Sequence, residues 1–203
     1  YMQCGYYLDS KGLPYYMIVN RRGEYFVPGT ITEERFVPPS EYGKYYQEAL
    51  PQTLNMSFNR HATKRFGKTL ALFDPSDSTL FVGSGKKLDL SIPAGEGKLL
   101  QLTGTLPAKV KGKHKLNGQT ILTGNIELQK RAKVVLGKNA ELILLPGTHL
   151  QVSSKSKLYL AGTVTLLGDA SISVSGKFKH KGTKINRAPK SKFEVHGSPL
   201  TGM

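Results

Sequence analysis

Between residues 126 and 174 the sequence repeats a short unit in which two apolar residues flank one other residue. The apolar pairs are Ile126/Leu128, Val134/Leu136, Leu142/Leu144, Leu150/Val152, Leu158/Leu160, Val164/Leu166 and Ile172/Val174. Such period-2 alternation predicts short strands with one buried face, and the Gly, Asn, Asp, Ser and Pro residues between the pairs favour turns. All but one of the intervals between pair starts are equal, which indicates a repeat rather than unrelated hairpins. We predict a β-solenoid in which each coil stacks its Leu, Ile and Val side chains on the coil below.

The spacing predicts two strands in each coil of about 14 to 16 residues, whereas a meander of antiparallel hairpins is the alternative that produces the same alternation. Three stretches favour the solenoid by resemblance: Leu122-Thr-Gly-Asn-Ile-Glu-Leu, Ala140-Glu-Leu-Ile-Leu-Leu-Pro-Gly-Thr and Lys157-Leu-Tyr-Leu-Ala-Gly-Thr-Val. They resemble the short right-handed β-helix repeats of secreted bacterial surface proteins, in which an apolar strand precedes a Pro-Gly-Thr corner. This resemblance implies a right-handed fold and indicates no activity.

The first half of the chain also has the pattern of strands, which recur at short intervals without a sustained helical period. Three of its segments are Tyr15-Tyr-Met-Ile-Val-Asn-Arg-Arg22, Leu72-Phe-Asp-Pro-Ser-Asp77 and Leu90-Ser-Ile-Pro-Ala-Gly-Glu-Gly-Lys-Leu-Leu-Gln-Leu102. They resemble the C-terminal β-sandwich domains that follow the barrel of many bacterial glycoside hydrolases and that have a terminal hairpin. The resemblance covers most of residues 6–102 and departs from the family at 27–50, where a long aromatic loop is inserted. It implies an accessory module, because the catalytic carboxylates of that family lie in the preceding barrel.

These patterns predict an all-β chain of three parts. We expect an antiparallel β-sandwich at residues 1–105, a short right-handed β-solenoid at residues 106–184, and a cap strand with a tail at residues 185–203. No apolar run approaches ~18 residues, so we expect no transmembrane insertion. The first residues lack the charged and apolar regions of a signal peptide, and we expect the chain to be the C-terminal part of a longer or processed protein.

The formal net charge of +15 lies almost wholly in the second half, where residues 106–203 hold 17 Lys and Arg against 4 Asp and Glu. Lysine at every second position from 109 to 115 predicts one shared face in an extended strand. The candidate polyanion-binding residues are Lys109, Lys111, Lys113, Lys115, Lys130, Arg131, Lys133, Lys177, Lys179 and Lys181. An anionic polysaccharide or cell-surface polymer is the predicted partner, and nucleic acid is the weaker candidate because aromatic residues for stacking are few in this half. The alternative is a solubilising surface whose lysines prevent edge-to-edge pairing of strands.

A second candidate surface consists of aromatic residues in the Pro-flanked loop at 27–50. Tyr42, Tyr45 and Tyr46 offer ring faces on which sugars can stack. The interpretation that we favour is that these rings fold back and fix the loop on the sandwich.

The sequence offers little of the chemistry of an active site or a metal centre. The five histidines lack the spacing of a metal site, and no cofactor is predicted. Between residues 106 and 190 the acidic residues are Glu127, Glu141 and Asp169. Their spacings correspond to about one and about two coils of the predicted length, so two of them can align. Isolated acids in a basic solenoid are more typical of solvated surface residues.

The single cysteine, Cys4, stands among apolar and aromatic residues, which predicts a small buried side chain.

The sequence favours a non-catalytic C-terminal accessory region of an exported bacterial carbohydrate-active protein, secreted or held at the cell surface. This region is expected to stabilise that protein and to bind an anionic glycan or cell surface, with a catalytic domain upstream. Two alternatives stay open. One is a structural subunit of a surface layer or extracellular fibre, and the other is a stand-alone polysaccharide lyase or hydrolase.

Overall fold

The computed structural model describes residues 2–21, 25–26, 46–47, 50–83 and 87–196, and for 25–26 and 46–47 it describes the backbone alone. The chain forms two compact units. The first comprises Tyr1–Met56, Asp74–Asp77 and Asp89–Leu102, and the second comprises Ser57–Phe73, Ser78–Leu88 and Thr103–Met203. The domain boundaries at residues 105 and 184 stay predictions.

Nine strands and one short helix lie in the described residues up to Thr105. They are β1 (Met2–Leu8), β2 (Pro14–Asn20), β3 (Tyr25–Phe26), β4 (Tyr46–Gln47), β5 (Gln52–Ser57), α1 (Arg60–Phe66), β6 (Thr69–Asp74), β7 (Thr79–Val82), β8 (Lys87–Ile92) and β9 (Gly97–Thr105). In the first unit β2 pairs antiparallel with β1 and with β9, so that Tyr16 lies between Tyr6 and Leu100. The strand β5 pairs with β8, and β3 pairs antiparallel with β4.

The nearly all-β composition is confirmed, and the antiparallel arrangement of the first unit is confirmed in part. Residues 93–97 form a tight turn, with Gly95 at φ 72° and a 3.3 Å hydrogen bond from the Glu96 amide to the Pro93 carbonyl oxygen. The terminal hairpin that the resemblance implies is not formed by β8 and β9, because β8 pairs with β5 whereas β9 pairs with β2. The turn therefore leads from one sheet to another rather than between partners of one sheet.

The buried side chain of Asn20 connects β2 to two other segments of the first unit. Its Nδ2 donates hydrogen bonds of 3.0 Å to the carbonyl oxygens of Leu50 and Ile92. Its backbone N–H donates a 2.8 Å bond to the carbonyl oxygen of Glu96. An unpaired buried amide costs roughly 1–3 kcal/mol, so these bonds hold the segments in one arrangement.

The helix α1 was not predicted from the sequence. The side-chain oxygen of Asn59 accepts a 3.1 Å bond from the Ala62 amide at its start. At its end the amide of Gly67, with φ 103°, donates to the carbonyl oxygen of Thr63. Asn and Gly are typical of helix ends, but Phe66 is the buried residue of this segment, so no apolar period reveals the helix. No helix in the described ranges is long and apolar enough to cross a bilayer.

The second unit contains a β-solenoid of about four turns, which confirms the solenoid prediction. Its strands are β10 (Lys109–Val110), β11 (Lys113–Leu116), β12 (Gln119–Leu122), β13 (Asn125–Leu128), β14 (Lys133–Leu136), β15 (Glu141–Leu144), β16 (His149–Val152), β17 (Lys157–Leu160), β18 (Thr163–Leu166), β19 (Ser171–Val174), β20 (Lys177–His180), β21 (Lys184–Arg187) and β22 (Lys192–Val195). They pair in parallel, which excludes the antiparallel meander. We name the three sheets of the solenoid by their first solenoid strands: the β10 sheet (β10-β13-β16-β19-β22), the β11 sheet (β11-β14-β17-β20) and the β12 sheet (β12-β15-β18-β21). The strand β12 also pairs in parallel with the end of β9, where Thr120 is the register partner of Gly104.

Each coil consists of three strands, one in each sheet, rather than two. In the β11 sheet Lys113, Lys133, Lys157 and Lys177 are register partners, so each of them marks the start of a new coil. The coil that extends from Lys133 to the residue before Lys157 contains β14, β15 and β16. The coils are therefore longer than the predicted length of about 14 to 16 residues, and that prediction is wrong. The apolar pairs locate the strands correctly, but alternation within a strand does not tell how many strands close a coil.

The core of the solenoid confirms the seven apolar pairs, because all their side chains are 3% exposed or less. Buried hydroxyl groups satisfy carbonyl oxygens at the corners. Oγ1 of Thr148 donates a 3.1 Å bond to the carbonyl oxygen of Leu122 in the preceding coil. Oγ of Ser156 donates a 2.6 Å bond to the carbonyl oxygen of Ser153 in its own corner. The coils thus stack through apolar side chains inside and hydrogen bonds at their corners.

Candidate functional site

The outward side of the β11 sheet carries a straight column of lysines. Lys113, Lys133, Lys157 and Lys177 begin its four strands and are register partners of one another. Side chains of a strand alternate between its two faces, and the second residue of each strand is the more buried one, so these lysines point outward. Adjacent strands of a sheet are ~4.8 Å apart, so the four strands, which we call the rungs of the sheet, span roughly 14 Å from the first to the last. We call this set the lysine column.

A second outward column lies two positions further along the same strands and consists of Lys115, Val135, Tyr159 and Lys179. Nζ of Lys133 lies 4.6 Å from the centroid of the Tyr159 ring, a distance typical of a cation–π interaction. The outward side of the β11 sheet therefore presents six lysines beside a small apolar and aromatic centre.

None of the eight outward positions of the β11 sheet is acidic. Glu127 lies on the β10 sheet, and Glu141 lies on the β12 sheet, where it accepts a 3.0 Å bond from Nε2 of Gln119. Asp169 lies in the turn before β19, and its Oδ1 accepts a 2.6 Å bond from the Gly147 amide. The strand lysines of the solenoid are thus concentrated on one of its three sheets, and its acids are elsewhere.

The three carboxylates that the sequence singled out do not align. Glu127 and Glu141 lie on different sheets, the β10 sheet and the β12 sheet. The residue one full coil after Glu127 is its register partner Gln151, so Glu141 comes less than one coil later in the chain. The backbone amides of Gly147 and of Asp169 itself lower the pKa of the Asp169 carboxyl. Asp169 therefore has a structural partner in the turn of the preceding coil.

The four lysines at alternate positions from 109 to 115 do not share one face, so this prediction is wrong. Lys109 lies in β10, whereas Lys113 and Lys115 lie in β11. Lys111 and Gly112, which has φ 71°, form the corner between the two strands. The alternation continues across this corner, but the corner divides it between two sheets.

The other predicted basic residues lie on the β11 sheet or in the adjoining turns. Lys133, Lys177 and Lys179 are on the sheet, and Lys130, Arg131 and Lys181 are in turns. Lys130 lines a depression of about 330 Å³ together with Glu127, Ser153, Ser154 and Lys155. The basic surface therefore continues around the corner towards the β10 sheet.

Sequence reasoning missed Lys157 and Tyr159, which lie in the middle of the two columns. The available signal was a lysine at the first position of every third strand, from Lys113 to Lys177. The assumed coil of about 14 to 16 residues placed these lysines out of register, and so the column was not recognised.

The aromatic surface predicted in the first half lies outside the described residues. This applies to Tyr42 and Tyr45 and to the side chain of Tyr46, of which only the backbone in β4 is described. The stacking role of these rings stays a prediction.

Cys4 is exposed on β1, so its predicted burial is wrong. Its neighbours Tyr6, Tyr7 and Leu8 are also 52–60% exposed. Apolar and aromatic residues next to one another in the sequence therefore do not indicate a core in this strand.

The part of the chain that the structure describes contains no cluster of His, Cys, Asp and Glu side chains able to hold a metal ion. His149 lies on the β10 sheet with Nδ1 2.8 Å from Oγ of Ser171 in the next coil. His196 lies with Nε2 3.3 Å from a carboxylate oxygen of Glu194. These two rings thus contact neighbouring polar side chains rather than each other.

No family model, curated protein or solved structure matches the chain. A role for this protein is therefore inferred from its own residues and geometry.

Proposed function

We propose that the solenoid is a non-catalytic module that binds an anionic polymer on the outward side of the β11 sheet. The observation that carries the proposal is the pair of outward columns, which combine six lysines with no carboxylate. A surface whose charges are all positive raises the local concentration of a polyanion and increases the rate at which it associates. An elongated array of this kind suits a polymer better than a single small anion.

The lysine column is unfavourable for folding, and this supports a role in binding. Like charges directly opposite each other on adjacent strands destabilise a sheet. Lys133 and Lys157 each have a lysine on both sides in the column. Solubility does not require this stacking, since lysines interspersed with acids over the three sheets serve it equally well. A bound polyanion that spans the rungs offsets the repulsion.

In the wider proposal, this chain is the accessory region of an exported bacterial carbohydrate-active protein whose catalytic domain lies upstream. The resemblance of residues 6–102 to glycoside hydrolase accessory domains supports this context, as does that of the solenoid repeats to secreted surface proteins. In this proposal the first unit is an antiparallel β-sandwich and the coils are right-handed, as nearly all parallel crossovers are. The chain would stabilise its protein and hold it to an anionic glycan or cell surface.

Retention on immobilised alginate tests the binding role. We expect the full chain to bind at about 50 mM salt and to elute before about 500 mM, because salt screens exposed charges. Failure of the full chain to bind alginate, heparin or any other polyanion at low salt would contradict the proposal.

Two variants of equal net charge test the location of the binding surface. In the column variant Lys113, Lys133, Lys157 and Lys177 become Gln, and in the matched variant Lys68, Lys184, Lys190 and Lys192 become Gln. We expect the column variant to elute at lower salt than the matched variant. Equal elution would assign binding to the overall charge of the chain rather than to the β11 sheet.

A stand-alone polysaccharide lyase or hydrolase is the alternative that an activity assay separates. The chain is incubated with polyuronates, and unsaturated products and reducing ends are followed. Cleavage by the full chain that disappears when Glu127→Gln, Glu141→Gln and Asp169→Asn are combined would contradict the non-catalytic role. A molar mass that increases with protein concentration in light scattering would instead favour a structural subunit.

A further inference from the structure

We propose that the ligand is a linear pyranose polymer that carries carboxylate or sulfate groups and that lies along the solenoid axis, across the strands of the β11 sheet. This inference rests on the proposed polyanion-binding function and specifies its ligand class, its direction and its contacts. Its centre is Tyr159, with Lys133 and Lys157 beside it.

The direction follows from the register of the lysines. A polymer that runs along one strand meets two outward positions of the β11 sheet, for example Lys157 and Tyr159 on β17. A polymer that runs across the strands meets one lysine at each of four rungs, since the lysine column is in register throughout. Rungs are ~4.8 Å apart, and a 1→4-linked pyranose unit advances a glycan chain by a comparable distance. One sugar for each strand therefore places an anionic group beside each lysine of the column, or beside every second lysine where alternate sugars point away.

The ligand class follows from the second outward column. Its middle positions are Val135 and Tyr159, which are register partners and half-buried. Lys115 and Lys179 stand at its two ends. A polymer beside the lysine column therefore meets an apolar and aromatic centre as well as charge. The C–H faces of a pyranose ring pack against such a centre, whereas a polyphosphate backbone has no comparable apolar face.

The same column disfavours nucleic acid as the ligand. Proteins that bind single strands stack successive bases on several aromatic rings. Tyr159 is the one aromatic ring at the eight outward positions of the β11 sheet. A single ring under one sugar is compatible with a glycan and offers no series of stacking platforms.

Calorimetry with size-defined oligouronates of two to eight sugars tests the direction of binding on the full chain. We expect affinity to rise with length up to about four sugars, which corresponds to the roughly 14 Å of the lysine column, and then to level off. Sulfated oligogalactans of the same lengths, which carry sulfate and no carboxylate, distinguish sulfate from carboxylate as the preferred group. An affinity that does not depend on length would overturn the axial arrangement.

Single substitutions test the contacts. Lys157→Gln is expected to weaken binding of the tetramer about two- to fivefold, as for the loss of one exposed ion pair. Lys184→Gln, which removes the same charge from the β12 sheet, is the control and is expected to leave binding within about twofold. Equal weakening by the two substitutions would overturn this inference, while salt-dependent binding of both would leave the proposed function intact.

The role of the ring is tested by Tyr159→Leu, with Tyr159→Phe as the conservative control. We expect Tyr159→Leu to weaken oligouronate binding about fivefold or more and to leave polyphosphate binding unchanged, whereas Tyr159→Phe retains both. Melting temperatures of the variants show whether they are folded. Equal binding of polyphosphate, single-stranded DNA and oligouronate by the wild type, with no effect of Tyr159→Leu, would overturn the assignment of a pyranose polymer.

Discussion

At the scale of single residues, the first unit contains a buried carboxylate, that of Asp74, whose side chain is only 3% exposed. Nζ of Lys98 donates to it at 2.8 Å, and the hydroxyl and amide of Ser76 donate at 2.6 and 3.0 Å. Burial by itself raises the pKa of Asp74, but the hydrogen bonds from Lys98 and Ser76 and the charge of Lys98 outweigh it and lower the pKa. The hydrogen bond to Asp74 in turn raises the pKa of Lys98.

These shifts predict an acid-sensitive contribution to stability. Because the pKa of Asp74 is lowered in the folded state, its contribution is complete above the unfolded-state value of about 3.9 and is lost as the pH falls through the folded-state value. The contribution of Lys98, whose pKa is raised, is lost only as the pH rises through its raised pKa. We expect Asp74→Asn to lower the free energy of unfolding by about 1.5–3 kcal/mol at pH 7 and to weaken the acid dependence in denaturant titrations.

The control for this prediction is Asp77→Asn. The Asp77 side chain is 51% exposed, and its carboxylate lies 4.0 Å from Nζ of Lys98, so we expect a change below about 1 kcal/mol. An Asp74→Asn variant that is as stable and as acid-sensitive as the wild type would contradict the role of this pair.

Gly137 and Gly162 lie at equivalent corners of successive coils, but the space around them differs. We therefore expect substitution by alanine to be tolerated at one corner and not at the other. A Cβ at Gly162 would lie far inside contact distance of the carbonyl oxygens of Ala140 and Gly137. A Cβ at Gly137 would meet its nearest atoms, Oδ1 of Asn117 and the carbonyl oxygen of Leu116, at 3.4 Å. We expect Gly162→Ala to destabilise the chain by about 1–3 kcal/mol through overpacking, with Gly137→Ala close to wild type. Thermal unfolding measures both, and equal melting temperatures would show that the corners are less tightly stacked.

At the scale of elements, the sequence was sufficient to place the seven middle strands of the solenoid but not to close its coils. Alternation located β13 to β19 because one buried face leaves a period of two along each strand. The number of strands in a coil is set by corners such as that at Gly112, where the chain turns onto another sheet without a break in the alternation of lysines. The lysine column depends on this number, so it was not predictable from an assumed two-strand coil.

Deletion of one complete coil tests the three-strand arrangement. Removal of residues 133–156 joins Ala132 to Lys157, the register partner of Lys133, and so preserves the order of the sheets. Removal of residues 133–148 joins Ala132 to His149 of the β10 sheet and disrupts that order. We expect the longer deletion to retain the circular dichroism spectrum of a β-protein and to unfold cooperatively. Its melting temperature should be lower, because stacking between neighbouring coils stabilises a solenoid and one coil has been removed. Cooperative unfolding of the shorter deletion alone would contradict a three-strand coil.

At the scale of the whole molecule, the charge division was evident in the sequence, but its concentration on one sheet was not. The second half carries 17 Lys and Arg against 4 Asp and Glu, and only the register shows that six of these lysines share the β11 sheet. The acids Glu127 and Glu141 lie on the other two sheets. Composition thus predicts that a polyanion binds this half, and parallel pairing predicts where it binds.

The salt dependence of oligouronate affinity tests the binding surface most directly. Titrations of the wild type, the column variant and the matched variant over a range of salt concentrations give the slope of log affinity against log salt. Each lysine that contacts an anionic group increases the magnitude of this slope, because binding there releases counterions. We predict that the column variant loses most of the slope and that the matched variant keeps it. Equal slopes for the two variants would contradict binding on the lysine column.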